Sequence, residues 1–435
     1  MGKLGLHWKI ILGMVLGVAL GLISIQFDGG KTFVVDWIKP FGTIFINLLK
    51  LLAVPLIISS LIKGVSDLKD ISSLSKLGFR TIGLYIITTI IAISIGLLVV
   101  NTIKPGLLIS SETRTELLKS FNKDALDRAS AADQTKTRGP LQMLVDIVPD
   151  NIFSAASSNS NMLQVIFFVV FFGIGLILIP ASAAAPVKVF FDAFNEVILK
   201  MIDLVMLAAP YGVLALMAAL IAESPGFDIF VALGAYALSV LIGLAILLFV
   251  LYPFGVKILT GKSPSFFMKN IAPAQLVAFS TSSSAATLPV TMERVEEHLG
   301  VDRQVTSFVC PVGATINMDG TSLYQGVAAV FISQAFGHDV TFGEQMTIIF
   351  TALLASIGSA AVPGAGLLML VIVLESIGVN PVGLALIFAV DRPLDMVRTA
   401  VNITGDAFVA MVVAKSVGKL GDPHVREWND NYPDK

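Results

Sequence analysis

The chain has 435 residues, 55% hydrophobic and 14% charged, with a mean hydropathy of +0.85, whereas soluble proteins average roughly 25% charged residues. This composition excludes an ordinary soluble domain, and a net charge of −2 leaves no broad basic face for nucleic acid. The single cysteine, Cys310, excludes an intramolecular disulfide and sits in an apolar run where a buried, inert thiol is expected.

Apolar runs recur along the chain and predict an all-α polytopic membrane protein with room for about eight spans plus shorter elements. The first, IILGMVLGVALGLISI, follows Lys3 and Lys9 without a small-residue cleavage motif, which predicts a retained span over residues 8–25. Gly13, Gly17 and Gly21 recur every four residues and would let another helix approach closely. Spans 2 and 3 are predicted over 37–62 and 81–100. Their link carries Lys63, Lys69, Lys76 and Arg80, against only Lys31 in the link before, which sets the N-terminus and the basic link on the cytoplasmic side. The polar stretch 104–138 reads as an external loop. Span 4 follows a break over 148–162, span 5 covers 191–222, and span 6 ends at Val256 ahead of Lys257, Lys262 and Lys269.

Beyond Lys269 the pattern changes. Two short arms flank STSSSAA (residues 280–286), and neither can cross a hydrocarbon core about 30 Å thick, so a re-entrant hairpin with serines at its tip is expected. Span 7, over 305–336, is interrupted by Asn317-Met318-Asp319-Gly320-Thr321, a run of poor helix formers that predicts local unwinding and freed carbonyls. Residues 348–378 are interrupted by SIGSAAVPGAG (356–366), where Pro363 between glycines predicts a second hairpin, expected to act as an external gate. Two interrupted segments, each followed by a helix with polar residues at mid-membrane depth, form the inverted-repeat signature of secondary transporters.

The last span carries DRPLDMVRTAVNITGD (391–406) between apolar runs. Asp391, Asp395, Arg398, Asn402 and Asp406 step by 4, 3, 4 and 4, so all five fall within roughly 80° of one helix face. Such charges cannot face lipid and must line a site. Asp319, Asp406, Asn317, Asn402 and freed carbonyls offer the hard oxygens that sodium prefers, and no Cys/His cluster suggests a transition metal. The guanidinium of Arg398 matches a carboxylate bidentately, and Asp395 is placed to receive an ammonium, which together describe a pocket for an acidic amino acid. Spaced three apart, the two are equally placed to pair with each other.

At these residues the chain resembles the glutamate/aspartate transporter family, the dicarboxylate/amino acid:cation symporters. TSSSAATLP, GATINMDGTSLY, SIGSAAVPGAG and DRPLDMVRTAVNITGD carry the resemblance, in the family's order and spacing. It implies eight transmembrane helices plus two re-entrant hairpins, assembled as a homotrimer in the inner membrane with both termini cytoplasmic. It also implies an elevator mechanism, with a scaffold in residues 1–75 and 148–225, helix 3 of the transport domain in 76–104, an external loop in 105–147, the rest of the transport domain in 226–420 and a tail in 421–435. Substrate would be bound by Ser283, Ser284, Thr321, Val362, Gly366, Asp395, Arg398, Thr399 and Asn402. In that scheme Arg398 holds the side-chain carboxylate, Asp395 the amino group and Asn402 the α-carboxylate. Sodium would be bound by Gly313, Asn317, Asn402 and Asp406 at one site, and by Tyr85, Thr88, Thr89, Asn317 and Asp319 at a second. A third would use Thr315, Ser356, Ile357 and Ser359, with Met318 also among the ligands.

Two departures qualify these expectations. Ser282 and Met396 stand where some members carry a further arginine, and Arg392 is a possible substitute for it. Gln325 follows Leu323-Tyr324 where proton- and potassium-coupled members have a glutamate; an amide cannot exchange protons, so sodium symport without potassium antiport is expected. Asp395 argues against a dicarboxylate substrate without an amine, and Arg398 against a neutral amino acid. An intramembrane aspartyl protease is the rival from another class, but it needs a carboxylate dyad, and ITGD lacks the leading Gly of GxGD. A passive anion channel would more naturally show rings of Lys or Arg.

Overall fold

A computed structural model of the protein describes residues 6–67, 75–115, 148–157, 161–223, 228–357 and 364–425. Those residues are almost wholly helical, their only β-type pairing being an isolated bridge between Val301 and Leu420. In chain order the helices are α1 (Leu6–Ser24), α2 (Lys39–Asp67), α3 (Ser75–Ile103), α4 (Ile152–Ala156), α5 (Met162–Leu178) and α6 (Ala181–Glu223). Then come α7 (Asp228–Ile246), α8 (Tyr252–Thr260), α9 (Pro264–Thr281), α10 (Ser284–Glu293) and α11 (Arg303–Ile316). The last four are α12 (Asp319–Ala335), α13 (Phe342–Ile357), α14 (Ala365–Ser376) and α15 (Leu384–Ser416).

Among the described residues four stretches are long and apolar enough to cross a membrane: Gly30–Leu56, Leu77–Leu108, Asp228–Thr260 and Val390–Ser416. A fifth is the bent pair Ala181–Ile202 and Leu207–Glu223, which turns by 47°. Pro210 accounts for the bend, since it lacks the N–H that would bond the preceding turn and its ring pushes that carbonyl aside. Span 5 thus begins at Ala181, ahead of the expected residue 191, and the helix continues through Pro186.

The predicted breaks have identifiable local causes. Ser263 caps α9 by accepting from Phe266 N at 3.2 Å, with Pro264 fixing the first turn. The α9–α10 turn passes through Ser282 in the left-handed region (φ 52°), and Ser283 then caps α10 by accepting from Ala286 N at 3.2 Å. This turn falls where the first hairpin is expected, and the helix before it starts at Pro264 rather than at residue 272. The expected unwinding of span 7 is the gap between α11 and α12, where Asn317 turns to an extended backbone (φ −96°, ψ 97°). Helices α13 and α14 flank residues 358–363, where the second hairpin turn is expected; these residues, including Ser359 and Val362, lie outside the described residues.

Helix α6 packs along α1 and α2, α2 also packs on α5, and α3 packs on α7 and α12. Helix α15 runs through the middle of the later elements, against α7 to α12. The glycine face of α1 meets α6: side chains on Gly13 and Gly17 would collide with the carbonyl oxygens of Pro210 and Leu214, and a Cβ on Gly21 would lie 2.9 Å from the carbonyl oxygen of Ala218. Gly17→Val should therefore overpack this crossing and destabilise the protein by about 1–3 kcal/mol, lowering the thermal midpoint in detergent. Gly83→Ala, where nothing lies within 4 Å, should leave the midpoint unchanged or slightly raised.

Candidate functional site

The polar stripe of α15 is buried and meets the α11–α12 break and both hairpins. Two clusters are built on it. The first surrounds Arg398, which is fully buried. Its Nη2 donates to Asp395 Oδ1 at 2.8 Å and to Asp391 Oδ1 at 3.1 Å. Its guanidinium carbon lies 3.7 Å from the centre of the Tyr324 ring, a cation–π contact from α12. Arg392 Nη1 donates to Asp395 Oδ2 at 3.0 Å, and Gly364 N, just ahead of α14, donates to the same oxygen at 3.2 Å. The pairing of Asp395 with Arg398 that their spacing allowed is thus present, and Arg392 joins it.

Buried Nη1 and Nε of Arg398 have no hydrogen-bond partner among the described residues. The guanidinium is held rigid by two carboxylates and an aromatic ring, and its unused donors, those of Nη1 and the Nε–H on another edge, are available to an incoming anion. Gly366 leaves room there: a Cβ on it would lie 2.7 Å from Thr321 Cγ2 and 3.7 Å from Arg398 Nη1. Asn402 bridges to the next element, its Oδ1 accepting from Gly320 N at 2.8 Å and its Nδ2 donating to Thr321 Oγ1 at 3.3 Å. Thr399 is buried, but its hydroxyl donates within its own helix to Asp395 O at 2.8 Å. Ser283 and Ser284 open α10 as buried residues at the first hairpin turn. Gln275 ties that hairpin to α15 through Thr404 Oγ1 at 3.0 Å.

The second cluster lies around two further carboxylates. Asp319 Oδ1 accepts from Thr89 Oγ1 at 2.7 Å and Thr88 Oγ1 at 3.3 Å, both from α3, and its Oδ2 accepts from Tyr252 OH at 2.8 Å. Asp406 Oδ1 accepts from Asn317 Nδ2 at 2.9 Å. Asn317 Oδ1 is buried without a donor among the described residues. Tyr85 instead donates to Val309 O at 3.0 Å, with its hydroxyl and Asp406 both packed against the bare Cα of Gly313. Gly405 leaves similar space, since a Cβ there would lie 2.9 Å from Asn317 Nδ2 and 3.0 Å from Tyr252 OH. Two buried carboxylates, an unpaired amide oxygen, hydroxyls and a broken helix form a hard, anionic oxygen set suited to small cations.

Of the third expected set, Ser356 contacts the helix break: it donates to Ile316 O at 3.3 Å and accepts from Met318 N at 3.2 Å. Ile357 ends α13 beside it. Thr315 is exposed, and its hydroxyl turns back to Val312 O at 2.9 Å. Two participants, Tyr324 and Tyr252, were missed in the sequence, and a third was read only in part. Tyr324 lies three residues after Thr321 on one face of α12 and could have been found by that spacing; Arg392 was noticed without its partner; Tyr252 sits in an apolar run and gives no signal.

A model of the sodium:dicarboxylate symporter family matches residues 6–416. The proton/sodium-glutamate symport protein of Geobacillus stearothermophilus is 34% identical over 429 residues, covering 98% of each chain. The proton/glutamate-aspartate symporter of Escherichia coli (strain K12) is 35% identical, covering 95% of this chain and 93% of that one. Excitatory amino acid transporter 3 of Oryctolagus cuniculus is 36% identical, covering 93% and 84%.

Removing the Tyr252 hydroxyl should leave Asp319 one donor short inside the protein. Tyr252→Phe should lower stability by about 1–3 kcal/mol, the range for an orphaned buried acceptor. Combined with Thr89→Val, the loss should differ from the sum of the two single losses, because both donors serve one carboxylate. Thermal or denaturant unfolding of the two single variants and the double variant measures this.

Proposed function

The chain belongs to the sodium:dicarboxylate symporter family, and from that premise we propose that it is a membrane-embedded secondary symporter that carries aspartate or glutamate together with sodium. The family is one of transporters rather than enzymes, and intramembrane proteolysis has no support. The observation that carries the substrate assignment is the buried Arg398 guanidinium, its Nη1 and Nε unpartnered among the described residues, beside the Asp395 carboxylate. A guanidinium and a carboxylate side by side match the side-chain carboxylate and the ammonium of an acidic amino acid. A neutral substrate would leave those unpartnered guanidinium donors without an anion.

In this reading Arg398 takes the side-chain carboxylate, Asp395 the ammonium and Asn402 the α-carboxylate. Thr321, Thr399, Gly366 and the hairpin serines Ser283 and Ser284 close around them, with Val362 contributed by the second hairpin. Sodium is cargo and coupling ion. Asp319 with Thr88, Thr89 and Asn317 supplies one set of ligands, with Tyr85 lying one layer away. Asp406 with Asn402 and the carbonyls near Gly313 and Asn317 supplies another, and Ser356, Ile357 and Ser359 with Met318 and Thr315 a third. Gln325, fully buried and donating to Gly366 O at 3.3 Å, carries no exchangeable charge, which supports sodium coupling without potassium antiport. The relatives' names pair glutamate with both proton and sodium, and the oxygen set around Asp319 and Asp406 favours sodium here.

The larger architecture follows the same reading: eight spans, two re-entrant hairpins, and a homotrimer in the inner membrane with cytoplasmic termini. The packing of α1, α2, α5 and α6 on one another, and of α3 with α7 to α15, supports a stationary scaffold and a moving transport unit. The boundaries of the two units follow the expected ones, with 1–75 and 148–225 static and 76–104 and 226–420 moving.

Arg398→Ala should weaken aspartate and glutamate binding at least tenfold while sparing serine or alanine, since breaking a desolvated charge pair costs about 2–5 kcal/mol. Isothermal titration of the purified protein in sodium checks this. Unchanged aspartate affinity would overturn the assignment.

A further inference from the structure

On the proposed function, on which this inference rests, the Asp395 carboxylate receives the substrate's ammonium. That carboxylate also holds a cation belonging to the chain. Arg392 Nη1 lies 3.0 Å from Asp395 Oδ2, while Arg398 Nη2 lies 2.8 Å from Asp395 Oδ1 and 3.1 Å from Asp391 Oδ1. Asp391, Arg398, Asp395 and Arg392 therefore form a row of alternating charges that sums to zero. With Arg392 withdrawn, two carboxylates would share one guanidinium, leaving a net negative charge at membrane depth, where unpaired charge is strongly disfavoured.

The position of Arg392 suits a movable partner. Its side chain is 17% exposed, whereas that of Arg398 is 0% exposed. Its Nε has no hydrogen-bond partner among the described residues. It lines a cavity shared with Ile10 of α1, Leu49 of α2, Ala209 of α6, and Gly364 and Leu367 at the start of α14. The guanidinium thus stands at the border between the site helix and the α1, α2 and α6 group, against a small cavity. Arg398 is clamped by two carboxylates and the Tyr324 ring and has no such freedom. Because Gly364 N donates to the oxygen that Arg392 holds, a change of cation at Asp395 also reaches the second hairpin.

We propose that Arg392 is a tethered counter-cation: it neutralises Asp395 during the substrate-free half of the cycle and gives the carboxylate up to the substrate's ammonium on loading. The empty site then crosses the membrane without taking a cation from solution. Arg392 is a positioning and charge-balancing residue for the return step, and the bound substrate does not need it.

Two modes of aspartate transport in proteoliposomes separate these roles. Net sodium-driven uptake needs the empty return; exchange against internal unlabelled aspartate, at equal sodium on both sides, does not. Arg392→Gln removes the charge, Arg392→Lys keeps it, and Arg392→Met preserves the apolar stem and replaces the glutamine variant if that one fails to reconstitute. The neutral variants should lose net uptake about tenfold or more with exchange reduced less than about threefold, and the lysine variant should keep the wild-type ratio, because only charge at membrane depth is at stake. A wild-type ratio in the neutral variants, whether both modes persist or fall together, overturns the proposal. So does a lysine variant that behaves like glutamine. If the wild-type protein moves aspartate in neither mode, the underlying substrate assignment fails instead.

Discussion

Ionised side chains at membrane depth have to find their partners inside the protein, and the rest of this structure is arranged around that requirement. A charge at the bilayer centre costs about 2.5–3.5 kcal/mol even on lenient insertion scales, and α15 alone carries Asp391, Arg392, Asp395, Arg398 and Asp406. The solution is to bury α15 among the later helices and to pair acids with guanidiniums along one face. Asp319 and Asp406 have no basic partner of this kind among the described residues. They rely on hydroxyls and an amide, which neutralise no charge. On the proposed function, that difference suits the paired cluster to a zwitterionic substrate and the unpaired one to cations.

The two clusters are joined mechanically. Asn402 spans from α15 to Gly320 N and Thr321 at the start of α12, one residue from Asp319. Ser356 ties the second hairpin to the carbonyl of Ile316 and the N–H of Met318 on either side of the helix break. Gly364, at the other side of the same hairpin, donates to Asp395. Any ligand that orders the helix break or engages Asp395 therefore also acts on that hairpin. A shared ordered element is what positive coupling between substrate and sodium requires, because the second ligand meets a segment that the first has already fixed.

Much of this was legible in the sequence, for physical reasons. The i, i+4, i+7 spacing from Asp391 to Arg398 survives in any continuous helix, so the shared face of Asp391, Asp395, Arg398, Asn402 and Asp406 could be derived. The breaks at Asn317-Met318 and at Ser282 follow from residues that leave helical geometry easily. Long-range partners could not be derived this way. Tyr252 reaches Asp319 across 67 positions, and nothing in its apolar neighbourhood marks it. The contact of Arg392 with Asp395 is of another kind: it has the same i, i+3 spacing as Asp395 with Arg398 and was within reach of the sequence, although only the latter pair was read from it. The helix of span 5 starts at Ala181, ahead of the expected residue 191, and runs through Pro186 without ending there.

The central claim is that a sodium gradient drives an acidic amino acid through this site, with no other cation required. Its most direct test is the initial rate of radiolabelled aspartate uptake into proteoliposomes under an inward sodium gradient, with internal potassium replaced by choline and external pH varied. The account predicts concentrative uptake that disappears when external sodium is removed and persists without internal potassium and across the pH range. Uptake that continues without sodium, or that stops when internal potassium is withdrawn, would contradict it.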